Sequence, residues 1–159
     1  MVISHFKVVD QPDESLSTAL PIGLEGTLTS PIITLVGPNG SGKSNVGDAL
    51  CFVLGRLSAK SMRAEKAANL IFNGGKDKKP SSTAYVEIAF DNQQKIFPLD
   101  AKEVVINRTI AKNGNSIYKV NEEKRTRTEI LDLLASAKIN PEGYNIILQG
   151  DITRFVDMP

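Results

Sequence analysis

IITLVGPNGSGKSNVGDALCFVLG, residues 32–55, is the stretch whose reading decides the fold. It begins with a nearly continuous apolar run, 32–36, suited to a strand buried on both faces. Gly37 breaks that run. From Lys43 to about Leu54, the residues Val46, Ala49, Leu50, Val53 and Leu54 fall on one helical stripe, and Gly55 is a plausible stop. Between strand and helix stand Gly37, Pro38, Asn39, Gly40, Ser41, Gly42, Lys43 and Ser44, a complete G-x-x-x-x-G-K-[ST] phosphate-binding loop. The glycines let the backbone approach an anion closely, so that successive N–H groups form a nest. The following helix adds the partial positive charge of its N-terminus. Lys43 is placed to reach β- and γ-phosphates, and the Ser44 hydroxyl to coordinate Mg²⁺. At average residue usage the four fixed positions match by chance in roughly one chain of this length in a few hundred. The strand before the loop and the helix after it sharpen the signal further.

Outward from the loop the pattern is mixed. Residues 2–10 read as a β-branched strand closed by the Gln11-Pro12-Asp13 turn, and 22–29 as a possible short strand. Residues 56–80 hold seven Lys or Arg against two acids, a local charge of +5. Strands are expected at 83–90, with Val86, Ile88 and Phe90 on one face, and at 103–110. Asn113-Gly114 predicts a hairpin into a strand over 116–120. Thr126-x-x-Glu129 is a capping box for a helix over 127–137, with Ile130, Leu133, Leu134 and Ala137 facing the core. A last strand is expected at 144–148, before Gln149-Gly150-Asp151. No repeat or low-complexity segment interrupts this order. The expected fold is α/β, with an antiparallel β-sheet portion, in one domain over 1–159.

Composition excludes several function classes. The 159 residues are 41% hydrophobic and 23% charged, with a net charge of +1, an average globular balance that announces neither a membrane nor a nucleic-acid partner. No apolar run approaches the ~20 residues of a membrane helix, and the N-terminus lacks the layout of a secretory signal. One cysteine, Cys51, excludes an internal disulfide, and one histidine, His5, argues against a His-based metal site or a Ser-His-Asp triad. Cys51, on the apolar stripe, reads as a small buried residue, and Met62 and Phe72 read as packing.

Binding a nucleoside triphosphate is not yet hydrolysing it. Turnover needs an acid after an apolar strand and a group to orient water. Asp91, after Ile88-Ala89-Phe90, is the one tempting acid, but Asp91-Asn92-Gln93 reads as a turn. An N-K-x-D base-reading motif and a kinase lid are both missing from the sequence. The residues therefore describe half of an ATPase site, and no catalytic residue is assigned within it. A self-contained small NTPase or kinase using Asp91 is the rival reading. Gln149 is placed to ligate Mg²⁺ or contact water, although a strand-end glutamine is ordinary.

Three blocks carry a resemblance: GPNGSGKSNVGDALCFVLG (37–55), LSAKSMRAEKAANLIFNGG (57–75) and GYNIILQGDITRFVDM (143–158). Together they resemble the N-terminal head segment of structural maintenance of chromosomes (SMC) proteins, most closely the archaeal-type members. The phosphate loop is shared with many NTPases, including RecN-, RecF- and ABC-type proteins, whereas the other two blocks are particular. The resemblance implies a P-loop NTPase fold of ABC type, present as the N-terminal half of a head. It implies that Gly37 to Ser44 hold ATP, that Ser44 and Gln149 hold Mg²⁺, and that Arg63 is the R-loop arginine beside the nucleotide. It further implies a C-terminal half-head carrying the signature motif, Walker B acid and catalytic glutamate, and a second head closing on the nucleotide as a homodimer. An accessory kleisin-type subunit, sequence-independent DNA and a cytoplasmic, nucleoid-associated location complete the expectation. The function implied is chromosome condensation and segregation by an ATPase that is nearly inactive as this chain alone. A DNA-repair or recombination head of RecN or RecF type is the alternative.

Two departures stand out. Phe6-Lys7-Val8 replaces the family's usual Phe-Lys-Ser, and residues 10–30 are longer and less apolar than usual. The chain stops at Pro159, where the family begins its coiled coil, so the expectation is a truncated chain, a fragmentary gene product or half of a split head. The basic 56–80 stretch, Arg125 and Arg127 are candidate DNA contacts, each equally readable as a solvated charge.

Overall fold

Alternating apolar residues build the sheet, and two helices close it. The computed structural model describes residues 3–9 (backbone path), 36–39, 43–56, 71–72 and 79–141. Its elements are β1 (Ile3–Val9), α1 (Lys43–Val53), β2 (Thr83–Asp91), β3 (Glu103–Ala111), β4 (Ser116–Val120), β5 (Glu123–Arg125) and α2 (Arg127–Ser136). The five strands form an antiparallel meander in the order β1-β2-β3-β4-β5. Ile88 lies between Phe6 and Ile106, and Arg108 lies between Val86 and Tyr118. Since side chains alternate across a strand, this register puts Ala84, Val86, Ile88 and Phe90 on one face with Val104, Ile106, Ile110, Tyr118 and Val120.

That face is the core. α1 packs on β2 and β3, and α2 on β4. Ile88, Ile106, Ile110, Ile130 and Leu134 are fully buried, each contributing about 1.5–3 kcal/mol of apolar transfer. The strands expected at 2–10, 83–90, 103–110 and 116–120 are present, as is α2. Its four predicted core residues pack inward, Ile130 and Leu134 fully and Leu133 and Ala137 partly.

Where the structure differs, local chemistry explains it. The stripe on α1 is partly or fully buried and Cys51 is buried, both as predicted, but Phe52, off that stripe, is buried too. α1 packs across β2 and β3, and the Arg108 guanidinium lies 4.1 Å from the Phe52 ring centroid. Strand β5 was not predicted. It follows β4 through Asn121-Glu122, both at positive φ (45° and 70°), the geometry of a type I′ hairpin without its usual glycine. The Asn121 side chain compensates by accepting from the Val105 N–H at 2.8 Å and donating to the Glu103 carbonyl at 3.3 Å. Gly114, at φ 84°, supplies the predicted β3–β4 hairpin. Buried Asn92 holds the 92–102 loop, accepting from the Phe97 N–H at 2.9 Å and donating to the Ala101 carbonyl at 2.9 Å. Of the strand expected to be buried over 32–36 only Val36 is described, and it is outside any strand and 90% exposed, so burial on both faces does not extend to it. The readings of 22–29, 32–35, 57–70 and 144–148 lie outside the described residues.

Candidate functional site

The candidate site is the junction of residues 36–39 with the N-terminus of α1. Helix formation starts at Lys43, so the first N–H groups of α1 have no intrahelical acceptor. The Lys43 ammonium folds back over the loop and donates to the carbonyls of Gly37 and Pro38, both at 2.7 Å. Ser44 is exposed in the first turn, where its hydroxyl is open to a ligand. No acid stands in the first turn of α1, so nothing there competes with an incoming anion. This arrangement fits a phosphate group with an associated divalent cation: orphan N–H donors, a mobile ammonium already over the loop, and an accessible hydroxyl. Among the described residues no cluster of three or more His, Cys, Asp or Glu forms a separate metal site.

Of the motif residues, Gly37, Pro38, Asn39, Lys43 and Ser44 are described, and Lys43 bonds the Gly37 and Pro38 carbonyls. Gly40, Ser41, Gly42, Arg63 and Gln149 lie outside the described residues. Asp91 ends β2 opposite Glu103, and its carboxylate accepts the Gln93 N–H at 2.9 Å. It is a turn residue, as its flanking Asn92-Gln93 suggested. Cys51 is fully buried, and Phe72 is half-buried beside buried Ile71.

The other end of α1 shows what the motif does not mention. Gly55 stands at φ 85°, with the Gly55 N–H donating to Phe52 and the Arg56 N–H to Cys51, at 3.3 and 3.0 Å. These two bonds are the Schellman closure. The last turn of α1 contains no basic residue of its own. Two guanidiniums from distant sequence take that place. Arg108 Nη1 donates to the Phe52 carbonyl at 2.8 Å, and Arg127 Nε donates to the Gly55 carbonyl at 2.7 Å. Arg108 also donates to Ser116 Oγ at 2.7 Å and lies over the rings of Phe52 (4.1 Å) and Tyr118 (4.7 Å). Burial lowers the Arg108 pKa and raises that of Tyr118; arginine keeps its charge regardless. Sequence reading missed Arg108. The available signal was a cation interrupting the alternating apolar face Val104, Ile106, Ile110.

Arg127, read as a candidate DNA contact, is engaged with α1. Exposed Arg125 pairs with Glu123 at 2.6 Å and with Glu129 at 3.5 Å.

With the geometry established, likeness to known proteins can be weighed. The family model described as RecF/RecN/SMC N terminal domain matches residues 23–143. The chromosome partition protein Smc of Pyrococcus furiosus is 55% identical over 124 residues, covering 78% of this chain and 10% of that protein. This chain therefore spans about a tenth of the length of the curated relatives it matches. A solved structure from work on ATP-driven dimerization and DNA stimulated activation of SMC ATPases is 43% identical, with a TM-score of 0.86. That match covers 100% of this chain and 93% of the other. An Smc head bound to the C-winged helix domain of ScpA is 54% identical, with a TM-score of 0.74, over 77% of this chain and 38% of that one. Among the described residues no helix is long and apolar enough to cross a membrane. Phosphate loop, antiparallel sheet and these likenesses agree, and the chain belongs to the RecF/RecN/SMC N-terminal domain family, as an SMC-type head segment of ABC-ATPase fold.

Proposed function

We propose that the chain is the ATP- and Mg²⁺-binding N-terminal half of an SMC head that works in chromosome condensation and segregation. The observation that carries this reading is the Lys43 ammonium held by the Gly37 and Pro38 carbonyls at the N-terminus of α1. Two loop carbonyls are replaceable acceptors, and phosphate oxygens are stronger ones. The loop N–H groups of residues 37–44, Pro38 excepted, would receive the phosphates, Lys43 would donate to their oxygens, and Ser44 with Gln149 would hold the cation. Mg²⁺ supplies charge neutralisation across the β- and γ-phosphates. Arg63 lies beside the nucleotide on this reading.

The chain has no assigned water-activating group, so turnover requires the C-terminal half-head and a second head. A kleisin-type subunit and DNA, bound without sequence preference, are the further partners, in keeping with the ScpA-bound and DNA-stimulated relatives. The location that follows is the cytoplasm, at the nucleoid. The test is ATP hydrolysis with Mg²⁺ by this chain alone and mixed with a C-terminal SMC half-head. Turnover is expected only on mixing, and is expected to vanish with Lys43→Ala. Robust hydrolysis by the chain alone would overturn the split-site reading.

A further inference from the structure

Arg108 sits at an unexpected place. Its neighbours on the core face of the sheet are Val86 and Tyr118 across the ladder and Ile106 and Ile110 along β3. A leucine there would satisfy the apolar pattern, yet the position carries a cation whose described partners all lie between α1 and β4: the Phe52 carbonyl and ring, Ser116 Oγ and the Tyr118 ring. Arg127, from the first turn of α2, grips the Gly55 carbonyl just beyond the same helix end. Apolar burial holds a helix against a sheet but is non-directional, so it tolerates axial slip and rotation. Hydrogen bonds from planar guanidiniums are directional and resist both.

The geometry points to Arg108 and Arg127 as positioning residues for nucleotide binding: they clamp the C-terminal end of α1 so that its N-terminal residues, Lys43 and Ser44, meet the phosphates in register. This inference rests on the nucleotide reading above. The 11-residue helix is about 16 Å long, so a tilt of ~5° moves its far end by over 1 Å. Misplacement on that scale costs up to about 100-fold where groups must be aligned. Direct attraction of the two cations for phosphate is a weaker effect, since ~16 Å is about two Debye lengths at physiological salt. Both Phe52 and Gly55 lie too far along the helix to touch a ligand at Lys43, so the clamp acts through α1 alone.

The experiment is equilibrium titration of the full 159-residue chain with ATP, with and without Mg²⁺, alongside circular dichroism and thermal unfolding of each variant. Arg127→Gln and Arg108→Gln, while folded at the titration temperature, are expected to bind Mg²⁺-ATP about tenfold more weakly, the scale of a sub-ångström misalignment. The gain in affinity on adding Mg²⁺ should shrink in both, because Ser44 is displaced; simple loss of folded protein would weaken both titrations equally. Arg127→Lys retains one charged donor and should approach wild type. Arg108→Lys keeps the charge but cannot donate to Phe52 and Ser116 together while stacking on two rings, so it should stay weak. Lys124→Gln, removing an exposed charge from β5, should bind as wild type.

Mg²⁺-ATP affinity within twofold of wild type in folded Arg127→Gln and Arg108→Gln would overturn the clamp and leave the nucleotide reading intact. An equal loss in Lys124→Gln would overturn it by reducing the effect to net charge. Wild type binding no better than Lys43→Ala would overturn the nucleotide reading, and the clamp with it. Should Arg108→Gln prove unfolded, Arg127→Gln and its lysine rescue decide the question.

Discussion

The two helices among the described residues are finished in opposite ways. α2 carries its own beginning: Thr126 and Glu129, three residues apart, bond each other reciprocally. The Glu129 N–H donates to Thr126 Oγ1 at 3.3 Å, and the Thr126 N–H donates to Glu129 Oε2 at 2.7 Å. α1 has a local Schellman closure at Gly55 but borrows its cationic cap from β3 and α2, respectively 56 and 72 residues downstream. The local cap serves the helix on which it stands. The borrowed cap ties a helix to the rest of the fold, and here the tied helix is the one that begins with Lys43 and Ser44 of the G-x-x-x-x-G-K-[ST] motif.

The contrast can be broken by substitution. Arg108→Ala should give the largest effect, about 2–4 kcal/mol of lost stability, because it removes a charged hydrogen bond and two ring contacts from a partly buried place. A shift in the urea midpoint smaller than that from Thr126→Ala would mean that the borrowed cap is decorative. Gly55→Ala should cost less, about 1–2 kcal/mol. An added Cβ would meet Leu131 and the Tyr118 hydroxyl at 3.6 Å, ordinary contact, so the cost is the left-handed backbone at φ 85° and not a clash. A loss above that range would show that the seat of α1 is more tightly packed than these distances imply.

Thr126→Ala should cost about 1 kcal/mol, the usual value of an N-cap, and should leave the seat of α1 unchanged. It also has a pH signature. Bonds from the Thr126 backbone and hydroxyl hold the Glu129 pKa below its ordinary value of 4.5. A carboxylate depressed in the folded state contributes stability that is present above its unfolded pKa and lost as pH falls through its folded pKa. Wild-type stability should therefore decline more steeply than that of Thr126→Ala as pH drops below about 4.5, the ordinary glutamate range. The N–H of residue 126 still donates to Glu129 in the alanine variant, so parallel acid profiles would show that the Thr126 hydroxyl adds nothing to the depression.

Much of this was legible before any coordinates, for reasons of range. The phosphate loop, the Thr126–Glu129 box, the Asn113-Gly114 hairpin and the alternation of β2 are patterns within a few residues. Their chemistry acts over that same distance, and the capping box, the hairpin and the alternation stand as read. Strand β5 escaped because Asn121-Glu122 forms a positive-φ turn without the glycine that announces one.

By itself the sequence determined that a helix with an apolar stripe starts at the Lys43-Ser44 end of a glycine-rich motif, and that strands of alternating polarity follow it. Proline and β-branched residues restrict their own backbones and glycine frees its own, so such statements need no distant partner. Only the tertiary structure decided that Arg108, in the middle of an apolar strand face, belongs to the end of α1, and that Arg127 joins it there. A long cationic side chain has no local preference strong enough to reveal its acceptor. Packing α1 across β2 and β3 brings the Phe52 and Gly55 carbonyls to those guanidiniums, and nothing in the neighbouring letters records that encounter.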